Sequence, residues 1–319
     1  MNKKLGFNDV SLVSRQISTI NSRDEIVLSE PLFPSLMVSN PIIASPMKDV
    51  CDGLVAKEMQ DSGACGIIHR FSSIEQQIID TLVVENPICA IGVIGDYLDR
   101  FKELYKVGVR YFCIDVANSS TNRVRYIVKQ LLDIHSNCQF IVGNVMCKEG
   151  VDFWNDIPEV CAIRVGVAGG SGCTSKNATG MYHPYISLLM ECREVTDKVL
   201  IADGGIKEAQ HMCYALAAGA DFVMLGSLIA KCKESPAEIV NRDGKQYKLY
   251  HGSASYENQS LYKDIPRYIE GKSVLLEYKQ ETIAQTMQSF LDGLKSSMSY
   301  ANARTLEEYR KNVEIIHVQ

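Results

Sequence analysis

The chain has 319 residues, 46% of them hydrophobic, enough to bury a large core in one long α/β domain. Its net charge of −5 shows no basic excess, which argues against a nucleic-acid partner. Eleven cysteines lie scattered, mostly within apolar runs and without Cys-x-x-Cys spacing, so reduced thiols fit better than a disulfide scaffold. No apolar run approaches about 18 residues and the N-terminus lacks an apolar signal core, so the expectation is a cytoplasmic protein with no membrane partner.

Residues 1–40 alternate apolar and turn residues, a pattern that predicts short hairpin strands ahead of the main fold. A rhythm then begins. Pro41-Ile-Ile-Ala-Ser45 precedes a helical pattern through Val55 and Met59, and Gly66-Ile-Ile-His69 precedes one over Ile74, Ile78 and Leu82. Ile88–Val93 precedes a helix with Leu98, Phe101 and Leu104, and Tyr111–Asp115 one with Val124, Ile127, Val128 and Leu131. Phe140–Gly143, Ala162–Val165, Val199–Asp203 and Phe222–Leu225 complete eight runs. Continuous apolar strands between amphipathic helices mean parallel strands buried on both faces. Eight units spaced by roughly 20 to 35 residues predict a (β/α)8 TIM barrel, with an open doubly wound sheet as the alternative. With no linker and no low-complexity segment, residues 1–319 read as a single domain. Residues 233–280 break the rhythm before a closing helix over Thr282–Leu294. An insertion of that length on a barrel's catalytic face is expected to be a flap or lid, the plainer reading being a surface hairpin.

Four glycines lie in the seven residues from Gly166 to Gly172, directly before Cys173. Glycine reaches left-handed backbone angles cheaply, so such a loop can turn main-chain groups toward an anion or a cation. Cys173, flanked by Ser171, Thr174 and Ser175, is placed as a nucleophile facing a bound nucleotide. The other strand ends hold Met47 and Lys48, His69 and Arg70, Asp115 to Asn118, Asn144, Asp203-Gly204-Gly205 and Gly226-Ser227. The last two follow strands seven and eight, the usual phosphate position of a barrel, and their amides precede helices. Asp203 repels phosphate at close range and is expected on ribose hydroxyls instead.

Arg164-Val-Gly-Val-Ala-Gly-Gly-Ser-Gly-Cys-Thr174, Ile201-Ala-Asp-Gly-Gly-Ile206 and Val223-Met-Leu-Gly-Ser-Leu228 resemble the IMP dehydrogenase / GMP reductase family. Phe7-Asn-Asp-Val-Ser-Leu12, Gly143-Asn-Val145 and Gly271-Lys272 add to the likeness, which runs from Phe7 to about Leu306. The family's regulatory insertion has no room between His69 and Ile88. The resemblance implies that Cys173 attacks purine C2 of GMP or IMP and forms a thioimidate-type intermediate. It places the phosphate on Ser171, Gly205, Gly226, Ser227 and Tyr250, the ribose on Asp203, and Met47 and Met224 beside the base. Gly204, Gly252 and Ser253 complete the substrate set. Asp115, Ala117 and Asn118 are implied along the nicotinamide cofactor, NADPH. Lys48, Arg70 and Lys176 would meet its extra phosphate or the substrate phosphate, and Lys48 is expected to be buried at its strand end. The carbonyls of Ala168, Gly170 and Cys173 occupy the positions of a monovalent cation, K+. The family also implies a homotetramer.

Two reactions share the intermediate. Lys48 after Met47, Asp115-Val-Ala-Asn118 and Gly252-Ser-Ala-Ser255 resemble the reductase. In the family a hydroxyl two residues after the cysteine, here Ser175, pairs with a glutamate expected just after Ser-Ala-Ser. That position holds Tyr256, with Glu257 next, so either is expected to handle the ammonia proton. The alternatives are an IMP dehydrogenase, if Arg267-Tyr268 activates water, a reductase of another 2-aminopurine nucleotide, or a relative that only binds. Tyr185, where relatives commonly carry glutamine, is expected to alter the base pocket.

Overall fold

The computed structural model describes residues 3–260 and 265–318. Its strands are β1 Val10–Ser14, β2 Glu30–Phe33, β3 Leu36–Val38, β4 Ile42–Ala44, β5 Cys65–Ile68, β6 Ile88–Ile91, β7 Tyr111–Asp115 and β8 Gln139–Val145. They continue as β9 Val160–Val165, β10 Val199–Asp203, β11 Phe222–Leu225, β12 Ile239–Arg242, β13 Lys245–His251, β14 Ser273–Glu277 and β15 Val313–His317. Strands β4 to β11 pair in parallel and in chain order, and the ring closes where Val223 lies beside Ile42 and Leu225 beside Ala44. This is the (β/α)8 barrel, and the closure of β11 on β4 excludes the open sheet.

Strand periodicity sorts the core into two shells. Ile43, Ile67, Ile88, Ala90, Ile141, Ile201, Phe222 and Met224 fill the barrel. Their neighbours Ile42, Ala44, Ile68, Cys89 and Ile91 face the helices. Successive side chains of a strand point to opposite faces, so a continuous apolar run serves both shells. Polar caps begin the outer helices. Asp52, Ser73 and Thr121 accept the backbone N–H of Val55, Gln76 and Val124, starting helices Gly53–Asp61, Ile74–Thr81 and Asn122–Ile134. The last of these buries Val124, Ile127, Val128 and Leu131, one stripe at helical spacing.

The β2–β3 hairpin plugs the N-terminal end of the barrel, with Leu32, Phe33 and Val38 in the inner cluster and Phe33 4.5 Å from the Tyr111 ring. The other N-terminal strand is not a hairpin partner. β1 pairs antiparallel with β15 at the far end of the chain. The insertion after β11 forms the antiparallel sheet β12–β13–β14, with a short helix Tyr256–Gln259 between β13 and β14. Lys248 is buried at its root, where Nζ donates to the carbonyls of Ser235 (2.9 Å) and Ala237 (3.1 Å). The closing helix runs Ile283–Tyr300 and starts with a capping box of Thr282 and Gln285.

Candidate active site

At the C-terminal mouth, the glycine loop after β9 wraps a buried tyrosine. A Cβ on Gly166, Gly169 or Gly204 would come within 2.3–2.6 Å of the Tyr185 ring or hydroxyl. Gly166 and Gly204 also hold φ of 126° and 112°, which side chains rarely adopt. The Tyr185 hydroxyl donates to the Asp203 carbonyl (2.8 Å), and Phe7 stacks on the ring at 5.6 Å. Tyr185 is therefore not a base-pocket residue as the sequence suggested. It is 2% exposed and supports the loop from below.

The loop delivers Cys173 into a chain of three groups. Its thiol donates to Ser175 Oγ at 3.3 Å, and that hydroxyl donates to Glu270 Oε2 at 2.5 Å. Glu270 comes from the return leg of the flap, which is stitched to the cysteine loop by main-chain bonds. Thr174 N–H donates to the Glu270 carbonyl (2.8 Å), Lys272 N–H to the Gly172 carbonyl (2.9 Å), and Cys173 bridges Gly271. Gly172 and Gly252 touch so closely that a Cβ on Gly252 would lie 2.3 Å from the Gly172 oxygen.

The structure brings Glu270, and neither of the two expected residues, to the Ser175 hydroxyl. Glu257 and Tyr256 sit in the short helix Tyr256–Gln259, both exposed, Tyr256 at 60%. The Glu257 carboxyl is held below its usual range by its own backbone amide and then by the Ser273 and Ser255 hydroxyls, with slight burial opposing. In the sequence, Glu270-Gly271-Lys272 served only as a landmark, and the glutamate was given no chemical role. Nothing local shows that residues 270–272 fold back along Gly172–Thr174. Arg267-Tyr268 does not join the site either. Tyr268 is 85% exposed, and the Arg267 backbone N–H donates to Gln259 Oε1 (3.1 Å).

Beside the thiol, Ser171 Oγ lies 3.1 Å from Ser227 Oγ, joining the turns after β9 and β11. The Tyr250 hydroxyl donates to Met47 Sδ (3.1 Å), and a Cβ on Gly226 would stand 3.2 Å from that hydroxyl. Ser171, Ser227, Gly226, Tyr250 and Met47 thus converge, with Gly205 (φ 78°) on the neighbouring turn and Ser253 half-buried beside Gly252. Met224 lies deeper than the sequence suggested, 2% exposed in the inner barrel cluster.

A ladder of ion pairs crosses the mouth. Asp203 Oδ2 accepts from Asn144 Nδ2 (2.7 Å) and from Arg164 Nε (3.1 Å) and Nη2 (2.8 Å). Arg164 Nη1 also donates to Asp115 Oδ1 (2.9 Å), whose other oxygen takes Arg70 Nε (3.1 Å). Burial raises the Asp115 pKa, but Arg70 and Arg164 outweigh it and hold the carboxyl below its usual range. Asp203 and Asp115 together, over the cost of burial, push the Arg164 pKa well up. Asp115 is thus committed to two arginines, while Ala117 and Asn118 are exposed at the rim. Sequence analysis gave Arg164 and Asn144 no role, although both stand at strand ends.

Lys48, expected to be buried, is exposed, while Asp49, Val50 and Cys51 directly after it are buried. Lys176 is exposed too, its Nζ 4.2 Å from the Tyr182 ring centre. His69 is buried. Burial, followed by the charges of Lys48, Arg100 and Arg70, lowers its pKa to about 4, and its Nδ1 accepts the Phe71 N–H (3.0 Å). In the glycine loop Ala168 takes φ 67°, and the Gly170 carbonyl accepts the Cys173 N–H (3.0 Å). Among the described residues no three His, Cys, Asp or Glu gather as a metal site, and no helix is long and apolar enough to cross a membrane.

A closed parallel barrel with a thiol, a hydroxyl and a carboxylate in line at its C-terminal mouth defines a barrel enzyme. The family described as IMP dehydrogenase / GMP reductase domain matches residues 4–319. The chain belongs to that family and is an oxidoreductase. The GMP reductase of Chromobacterium violaceum is 32% identical over 324 residues, covering 99% of this chain and 98% of that protein. The GMP reductase of Vibrio atlanticus is 29% identical over 337 residues, with 99% and 95% covered. GMP reductase 2 of Mus musculus is 30% identical over 333 residues, with 99% and 94% covered.

Proposed function

We propose that the chain is a GMP reductase, converting GMP to IMP and ammonia with NADPH. The observation that carries this reading is the Cys173–Ser175–Glu270 relay, because reductive deamination must move a proton to a departing amine. A dehydrogenase needs an activated water instead, and Arg267-Tyr268 stands outside the site.

The donor sense of the relay supplies the route. The thiol proton passes through Ser175 to Glu270 as Cys173 Sγ bonds to purine C2, an electron-poor carbon between two ring nitrogens. Glu270 returns that proton, through Ser175, to the C2 amine as the C–N bond breaks and ammonia leaves. The result is a thioimidate on Cys173, with every proton accounted for. A nicotinamide held at the rim by Ala117 and Asn118 would supply the hydride for C2. The S–C2 bond then breaks with its electron pair returning to sulfur, IMP departs, and the Cys173 thiolate takes a proton from solvent.

The other residues hold the substrate. Ser171, Ser227, Tyr250 and the backbone of Gly205 and Gly226 bind the phosphate, and Met47 lies against the base. Asp203 Oδ1 receives none of the three donors on Oδ2, so it is the acceptor for a ribose hydroxyl. The exposed Ala117 and the Asn118 amide fit the nicotinamide end of the cofactor better than buried Asp115 does. The carbonyls of Ala168, Gly170 and Cys173 are the candidate seat of a K+ ion, which would offset the strain of about 1–2 kcal/mol in left-handed Ala168.

Rapid quenching during turnover, followed by peptide mass analysis, tests the covalent step on which the relay acts. The expected result is a purine-ribose-phosphate adduct on the Cys173 peptide when GMP is supplied. Turnover of GMP without any adduct refutes the covalent route.

A further inference from the structure

Two residues outside the proposed chemistry join the flap to the first barrel loop. Asp49 is 7% exposed and lies in the turn after β4, where the N–H groups of Val50 and Cys51 donate to the Met47 carbonyl (3.0 and 3.1 Å). Its Oδ2 accepts the His251 backbone N–H and the His251 ring Nδ1–H, each at 2.7 Å. His251 ends β13, directly between Tyr250 and Gly252. The Asp49–His251 contact thus runs parallel to the Met47–Tyr250 contact on the same two segments.

We infer that Asp49 and His251 form a latch that sets nucleotide affinity by holding Tyr250 and the Gly252 turn over the phosphate position. The nature of the nucleotide rests on the reductase reading; the latch itself does not. Both are positioning residues, acting through Tyr250 and Met47. Two features support the assignment. Burial, then the charge of Asp203, then that of Asp49 raise the cost of ionising Tyr250, so an unpaired Asp49 carboxylate would add to the negative charge beside a bound phosphate. Donation from the His251 ring offsets that charge. The opposite leg of the flap, which carries Glu270, bonds to the latch leg through Gly252–Lys272 and Glu270–Ala254 but also has anchors on the cysteine loop, through Thr174–Glu270 and Lys272–Gly172, which do not depend on His251. Opening the latch therefore weakens binding while the proton relay stays in place.

The test uses His251→Leu, which keeps the backbone bond and removes the ring donor, and His251→Asn, whose amide can replace Nδ1–H. Hydrogen exchange of residues 245–251, without nucleotide, reads the latch directly. His251→Leu is expected to speed that exchange about tenfold or more and to raise both Kd and KM for GMP about 10- to 100-fold. Its kcat is expected to stay within about threefold of wild type, and His251→Asn within about threefold in every reading. Asp49→Asn, which keeps the shape and weakens the acceptor, should move the same quantities by smaller factors if the leucine variant folds poorly. Unchanged exchange in His251→Leu overturns the latch. So does a kcat that falls in step with KM, or failure of asparagine to rescue. Wild-type protein that binds neither GMP nor IMP, with exchange responding as described, overturns the reductase reading and leaves the latch standing.

Discussion

Replacing Glu270 by glutamine removes one charge from the relay and leaves its scaffold intact. The anchors of that residue are main-chain groups, the Glu270 carbonyl on Thr174 N–H and the Glu270 N–H on the Ala254 carbonyl (3.2 Å), so the variant keeps its place. What it loses is the 2.5 Å charge-assisted bond with Ser175 and the only step at which the relay stores a proton. General acid–base groups contribute about 10²- to 10⁴-fold, so kcat should fall by that factor, about 3–5 kcal/mol of barrier. KM for GMP should stay within about threefold, because Ser171, Ser227 and Tyr250 are untouched. The assay is loss of NADPH absorbance with ammonia release, run beside Glu257→Gln. Near-normal turnover by Glu270→Gln, or the larger loss in Glu257→Gln, refutes the reasoning.

Arg164→Met leaves buried Asp115 and half-buried Asp203 without their shared partner, which should cost about 3–5 kcal/mol of stability, read as a lower denaturant midpoint. Gly169→Ala places a methyl 2.3 Å from the Tyr185 hydroxyl, so the cysteine loop must shift. Its activity should drop at least tenfold while the melting temperature changes little, and Tyr185→Phe should not restore it, because two ring carbons also stand 2.6 Å from the methyl. Asp115 is depressed below its ordinary 3.8 in the folded state, so its pairing stabilises fully above that value and is lost as pH falls through the lower folded value. Acid unfolding curves should therefore be flatter in Asp115→Asn below about pH 4.

The barrel was legible because each strand is a continuous apolar run and each helix an amphipathic one, signals that survive without any long-range knowledge. The β1–β15 pair was not, since its partners lie at opposite ends of the chain and neither strand is apolar throughout. The site divides along the same line. Cys173, Ser175, Ser171, Ser227 and Asp203 stand on or beside strand ends, so barrel geometry alone brings them together. Glu270 reaches Ser175 through the fold of a long insertion, and a one-dimensional reading looked for the proton-handling group at Glu257 or Tyr256, directly after the Ser-Ala-Ser stretch. Lys48 and Met224 show a smaller failure of the same kind. A strand end gives the level of a residue along the barrel axis, while the local turn decides whether its side chain faces the rim, the pocket or the core.

The most direct test of the account is near-ultraviolet absorbance of the nicotinamide with purified protein, supplied with GMP and NADPH in one cuvette and IMP and NAD in another. The account predicts loss of NADPH signal with stoichiometric ammonia in the first and no sustained signal gain in the second. Steady NADH formation from IMP, with XMP accumulating and GMP inert, would contradict it.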